Sequence, residues 1–223
     1  MASSSPVWLV TGAGTGFGEA TALSALKRGH RVVATARRLS VLSDLVNTGA
    51  HAMVLDVTIP EDDIATRVGE ARNVYGRLDY LVNSAAYWAV SGFTEALAAE
   101  LKPFGIVVTS VEPGQFRTAF LNADKRKTSA RRMDVYANTG AEEYRTLLDA
   151  VDNNQPGDVD RGAGIVVDVL TTSSVAEGKE VPVRLVLGKD CLDVVRSKCE
   201  STLKLMNEWE GVAVSTDRID VKL

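Results

Sequence analysis

The run Thr11-Gly12-Ala13-Gly14-Thr15-Gly16-Phe17-Gly18 lies directly after the apolar stretch 7–10 and directly before a helical pattern. A glycine-rich turn between a strand and a helix is the entry to a βαβ unit. Its glycines permit a tight turn and let the backbone approach a phosphate closely. The helix N-terminus behind it supplies unpaired N–H groups and a partial positive charge. This feature commits the first half of the chain to a parallel α/β sheet and marks the head of the first helix as an anion site.

The pattern downstream agrees. Short β-rich runs alternate with helical patterns, which predicts strands over 7–11, 31–36, 51–56 and 78–83 and helices over 16–28 and 60–75. Gly29 is placed as the stop of the first helix. Pro60 with Glu61, Asp62 and Asp63 opens the second, where acidic groups suit the helix dipole. Val90, Phe93, Leu97 and Leu101 recur at helical spacing and predict a helix over 90–101, ended by Lys102-Pro103. A β-branched strand over 105–111 follows, stopped by Glu112-Pro113-Gly114. The polar stretch 117–138 carries Lys125, Arg126, Lys127, Arg131 and Arg132, shows no periodicity, and reads as a mobile substrate-side segment. Helices over 141–151 and 158–171, a strand over 181–187 and a long helix over 190–209 complete the chain. At 223 residues and 45% hydrophobic content, a single domain spanning 1–223 is expected.

Charge and composition narrow the function classes. A net charge of −4 without a long basic run argues against nucleic acid as a partner. The N-terminal apolar run is far too short for a signal h-region or a membrane span, so a cytoplasmic location and no membrane association are expected. Cys191 and Cys199 stand eight residues apart on the last helix, about 12 Å in rise, too far for a mutual disulfide, and read as reduced thiols. His30 and His51 have no metal-ligating companions at a recognisable spacing. They read as packing or surface residues, and no metal site is expected.

Thr-Gly-x-x-x-Gly-x-Gly so near the N-terminus resembles the cofactor signature of the short-chain dehydrogenases/reductases. The resemblance implies a Rossmann-like doubly wound parallel sheet, a dinucleotide held at Gly12, Gly14, Thr15, Gly16, Phe17 and Gly18, and hydride transfer with a small alcohol or carbonyl substrate. Arg37-Arg38 ends the second strand. An acidic residue there would hydrogen-bond the ribose hydroxyls of NAD, whereas arginine accommodates a 2′-phosphate, so NADP is expected. Asp56-Val57 resembles the pair that meets the adenine. Asn83-Ser84-Ala85-Ala86 is similar to Asn-Asn-Ala-Gly, which closes over the adenine ribose; Asn83 and Ala85 match it, and Ala86 adds a methyl group where backbone and cofactor run close. Pro113-Gly114 with Thr118 resembles the run that borders the nicotinamide. Residues 181–190 resemble the last strand of the hydroxysteroid- and retinol-dehydrogenase-like group, including fungal members.

The chain departs from this family at one place. There, Asn-Asn-Ala-Gly is followed by a helix, a strand bearing the catalytic serine, and Tyr-x-x-x-Lys at the head of the next helix. Here 83–87 runs directly into 88–97, which resembles the stretch immediately after the family's lysine. The missing piece is roughly 60 residues, about one strand–helix repeat with its loops. No tyrosine of this chain has a lysine four residues on; Tyr87 has Ser91 in that place. The spacing matters because one helical turn sets the ammonium beside the phenol and lowers its pKa toward neutrality. No residue is therefore assigned a catalytic role. Two readings follow: an NADP-dependent oxidoreductase, or a catalytically impaired NADP-binding protein such as a shortened isoform or mis-spliced product. The sheet is expected to close up by one strand, with 105–111 pairing beside 78–83 in a right-handed crossover. Family dimers usually use the lost helix and the one after it, so a homodimer of that kind would be weakened.

Overall fold

The computed structural model describes residues 5–83, 90–122 and 137–217. Strands β1 (Val7–Thr11), β2 (Arg31–Ala36), β3 (His51–Val54) and β4 (Tyr80–Asn83) form a parallel sheet in the order β3-β2-β1-β4. Strands β5 (Ser110–Pro113) and β6 (Arg184–Leu187) form a second parallel sheet of two strands. The helices are α1 (Gly16–Lys27), α2 (Ser43–Asn47), α3 (Glu61–Tyr75), α4 (Val90–Leu101), α5 (Gly140–Val151), α6 (Val159–Leu170) and α7 (Lys189–Val214). The expected Rossmann-like α/β fold is present.

Successive residues of a strand point to opposite faces, and here both faces are covered. Trp8, Val10, Val32 and Ala34 pack with Ala22 and Ala25 of α1, Leu45 of α2 and Val167 of α6. On the other face, Leu9 and Val33 meet Ala71 of α3. Full burial of each such Val or Leu side chain is worth about 1.5–3 kcal/mol. The second face is the thinner of the two, and it thins further toward β4. Leu9 and Leu81 are register partners on neighbouring strands. Leu9 is 1% exposed, whereas Leu81 is 63% exposed.

That exposure marks where the sequence expectation fails. β4 is an edge of the first sheet; 105–111 does not pair beside it, and the sheet has not closed up. The strand also begins later than expected. Residues 106–109 carry no strand, and Ile106 and Val107 lie exposed. A β-branched run becomes a strand only where a neighbour takes its N–H and C=O groups. β6 supplies that neighbour from Ser110 onward: the Ser110 amide donates to the Val183 carbonyl at 2.7 Å, and Arg184 grips Glu112 with two 2.8 Å hydrogen bonds. β4 and β5 therefore belong to separate sheets, not to one crossover unit.

Other elements fall close to expectation. α7 runs on to Val214, past the expected end at 209. The strand expected over 51–56 stops at Val54, and the one over 181–187 starts at Arg184. Of the segment 117–138, a short 3-10 turn at Ala119–Leu121 is described, and 123–136 lies outside the described residues. Helix α6 joins the two sheets. It packs along α1, and Arg28 at the end of α1 donates to the Asp168 carboxylate at 2.6 Å and to the Gly164 carbonyl at 3.3 Å.

Candidate functional site

The glycine turn takes its shape from a few backbone constraints. Gly12 and Gly16 both have φ of +64°, in the left-handed region that glycine enters without a Cβ penalty. The Ala13 amide donates to the Thr35 carbonyl at 3.0 Å, which folds the turn back onto β2. At Gly14 the constraint is space, since a Cβ there would stand 2.4 Å from Val41 Cγ2. Thr15 precedes α1 in an extended conformation and makes no capping hydrogen bond with its side chain. The first-turn amides of α1 are thus not occupied by that hydroxyl. Asn83 is held at the same mouth, where the Thr11 hydroxyl donates to its Oδ1 at 2.8 Å.

At the tip of β2, Arg37 and Arg38 are both exposed. The Leu55 amide donates to the Ala36 carbonyl at 3.0 Å, bringing Asp56 up beside them. The Asp56 carboxylate accepts from the Thr58 amide at 3.0 Å and from the Thr58 hydroxyl at 2.8 Å. The Thr58 backbone bond, then its hydroxyl, hold the Asp56 pKa below the ordinary carboxylate range, with a smaller contribution from the Arg37 charge. Val57 follows, exposed.

The second cluster hangs from β5. Gly114 donates to the Leu187 carbonyl at 2.8 Å, and the Gln115 amide donates to Asp190 Oδ2 at 2.6 Å. A Cβ on Gly114 would lie 2.1 Å from Asp190 Oδ1, so a side chain there would have to displace this carboxylate. Thr118 accepts from the Phe120 amide at 3.3 Å, and its methyl carbon lies 3.5 Å from where a Cβ of Gly16 would be. Phe17 and Phe116 pack edge to face with centroids 4.9 Å apart. Both rings sit over Gly162 of α6, where a Cβ would come within 2.7 Å of Phe116 and 2.8 Å of Phe17.

The structure therefore brings the glycine run, Asn83 and Thr118 together around the head of α1. Arg37, Arg38, Asp56 and Val57 stand at the neighbouring strand tips, and Pro113-Gly114 is reached through Phe116. Ala85 lies outside the described residues, as do Ser84, Ala86 and Tyr87. Sequence reasoning missed Phe116, Val41 and Asp190. Phe116 occupies a variable position of its run, and Val41 lies in a 3-10 turn without periodicity. Asp190 reads in sequence only as an acidic residue at a helix start. Among the described residues no His, Cys, Asp and Glu cluster could hold a metal, and no helix is long and apolar enough to cross a membrane. Cys191 and Cys199 are free thiols.

Known proteins agree with this geometry. A family model described as short chain dehydrogenase matches residues 6–88. Oxidoreductase BOA17 of Botryotinia fuckeliana is 23% identical across 94% of this chain and 98% of its own length. That alignment is 279 residues long against a chain of 223, so at least 56 of its positions have no counterpart here. A short-chain dehydrogenase from Streptomyces avermitilis, known from its crystal structure, is 27% identical, with a TM-score of 0.76 over 97% of this chain and 100% of that one. 11-beta-hydroxysteroid dehydrogenase A of Arachis hypogaea is 37% identical over 39% of this chain, a match spanning only 26% of that relative's length. Over residues 6–88 the chain is thus similar to the short-chain dehydrogenases, and the Botryotinia fuckeliana and Streptomyces avermitilis proteins extend the likeness along nearly its whole length.

Proposed function

We propose that this chain is an NADP-dependent oxidoreductase of the short-chain dehydrogenase/reductase kind, with an alcohol or carbonyl as the substrate. The observation that carries the reading is the pair Arg37 and Arg38, exposed at the tip of β2 with no acidic side chain in the position that would select NAD. The residues present fit the group. Gly12 and Gly16 open the turn, and the α1 amides would face a pyrophosphate. The guanidinium of Arg37 would neutralise a 2′-phosphate, and Asp56 and Val57 would border the adenine. Asn83 would close over the adenine ribose, a role that the resemblance also gives Ala85, outside the described residues; Pro113, Gly114 and Thr118 would flank the nicotinamide. Bound there, NADP(H) supplies or accepts the hydride.

A second reading, an NADP-binding protein with impaired turnover, is favoured by one specific observation: Tyr-x-x-x-Lys occurs nowhere in the sequence. Positioned acid–base groups contribute about a hundred- to ten-thousand-fold, roughly 3–5 kcal/mol of barrier. The edge position of β4 adds to this, because among the described residues no further strand pairs beside it to hold a substrate-facing group. Titrating the chain with NADPH and following NADPH oxidation over a panel of carbonyl compounds separates the two readings. Saturable binding with oxidation at a family-typical rate supports the enzyme, and binding with little turnover supports the impaired protein. No NADPH binding would overturn both.

A further inference from the structure

We infer, resting on the NADP(H) reading above, that Asp190 is a positioning residue for the nicotinamide half of the site: its carboxylate holds the loop 114–118 against the glycine turn. An acidic residue in the first turn of a helix ordinarily complements the helix dipole. Asp190 stands in the first turn of α7, yet its Oδ2 accepts the Gln115 amide, 75 residues upstream, at 2.6 Å. Its Oδ1 occupies space that a Cβ of either Gly114 or Gly188 would need; for Gly188 the separation would be 2.7 Å. Gly114 follows β5 and Gly188 follows β6. The carboxylate is thus seated where both strands of the second sheet give way to their loops.

Three further hydrogen bonds fix the same stretch. The Gly114 amide donates to the Leu187 carbonyl at 2.8 Å, the Gly157 amide to the Gln115 carbonyl at 2.9 Å, and the Arg117 amide to the Gly157 carbonyl at 2.9 Å. All three join backbone groups. The bond to Asp190 is the one in this set that depends on a side chain, and an ionised acceptor makes it the stronger kind. What it holds leads straight to the glycine turn. Phe116, the next residue, packs on Phe17, and the Thr118 methyl carbon lies 3.5 Å from where a Cβ of Gly16 would be. Fixing Gln115 therefore narrows the positions open to Gly114 and Thr118, the residues that would flank the nicotinamide. Displacements of about 1 Å in such groups are enough to matter.

The effect should be confined to that half. Gln115 is exposed, so water takes the place of a removed carboxylate and no buried amide is orphaned. Loss of Asp190 frees the loop without unfolding the protein. Arg37 and Asp56 stand at the tips of β2 and β3 in the other sheet, and the adenine half is built without Asp190.

Calorimetric titration of the unmodified chain, D190A and D190N with two ligands tests this. One is NADPH; the other is adenosine 2′,5′-bisphosphate, which carries the 2′-phosphate and no nicotinamide. D190A should weaken NADPH about three- to tenfold, the net worth of one hydrogen bond, and leave the bisphosphate unchanged. D190N, whose amide oxygen can still accept from Gln115, should bind NADPH nearly as the unmodified chain does. Equal weakening of both ligands in D190A, as a general loss of structure would give, overturns the role of Asp190. So does unchanged NADPH binding in D190A, or a D190N as weak as D190A. Each of these leaves the NADP(H) reading standing, whereas failure of the unmodified chain to bind either ligand overturns both.

Discussion

The rings of Phe17 and Phe116 meet edge to face, their centroids 4.9 Å apart and their planes at 79°. Phe17 belongs to the glycine turn behind β1, and Phe116 to the loop that leaves β5. The pair therefore bridges two sheets that share no hydrogen-bonded strand. Both rings lie against Gly162, so this contact ties together the two halves of the candidate cofactor site.

Truncating either ring should loosen that bridge. Phe116→Ala is expected to cost about 2–4 kcal/mol, and a double-mutant cycle with Phe17→Ala should show a coupling of about 0.5–1.5 kcal/mol. Urea unfolding of the four proteins gives both numbers. Additive losses would mean that the rings do not act on one another.

Gly14 is held by space and not by its backbone angle, so its replacement should be rescuable. Gly14→Ala is expected to destabilise by about 1–3 kcal/mol through the clash with Val41 Cγ2. Adding Val41→Ala should restore most of the loss. Equal thermal stability of the single and double variants would contradict this account of the turn.

His30 accepts a hydrogen bond from the Trp8 indole N–H through Nδ1 at 3.1 Å, which requires the neutral ring. Burial, and then the nearby Arg28 charge, lower its pKa from the usual 6.5. The unfolded chain thus binds a proton more readily than the folded one. The stabilisation is complete above pH about 6.5 and is lost as pH falls through the lowered folded value. Denaturant melts between pH 7.5 and pH 5 should show this decline, and His30→Gln should flatten it.

How much of this was legible in the sequence depends on where each signal came from. β1 and α1 could be placed because the apolar run, the glycines and Gly29 are local signals, and Gly29 does stop the helix with φ of +77°. β5 could not, because strand identity there depends on a partner far along the chain: Ile106 and Val107 have strand chemistry but no neighbour, while Ser110 finds β6. Among the site residues, Gly16 and Thr118 carry their own motifs and do converge. Asp190 escaped notice because its role, accepting the Gln115 amide, exists only after β6 lies beside β5. The open edge at β4 is the structural trace of the break after Asn83 that motif order had already indicated.

The central claim is that the dinucleotide half of the site is intact and selects the 2′-phosphate. Calorimetric titration of NADPH and NADH into the unmodified chain and into Arg37→Ala tests it most directly. Loss of one charged hydrogen bond should weaken NADPH by about 1.5–3 kcal/mol, roughly ten- to a hundredfold, with NADH unchanged. Equal weakening of both cofactors, or no NADPH binding by the unmodified chain, would contradict the account.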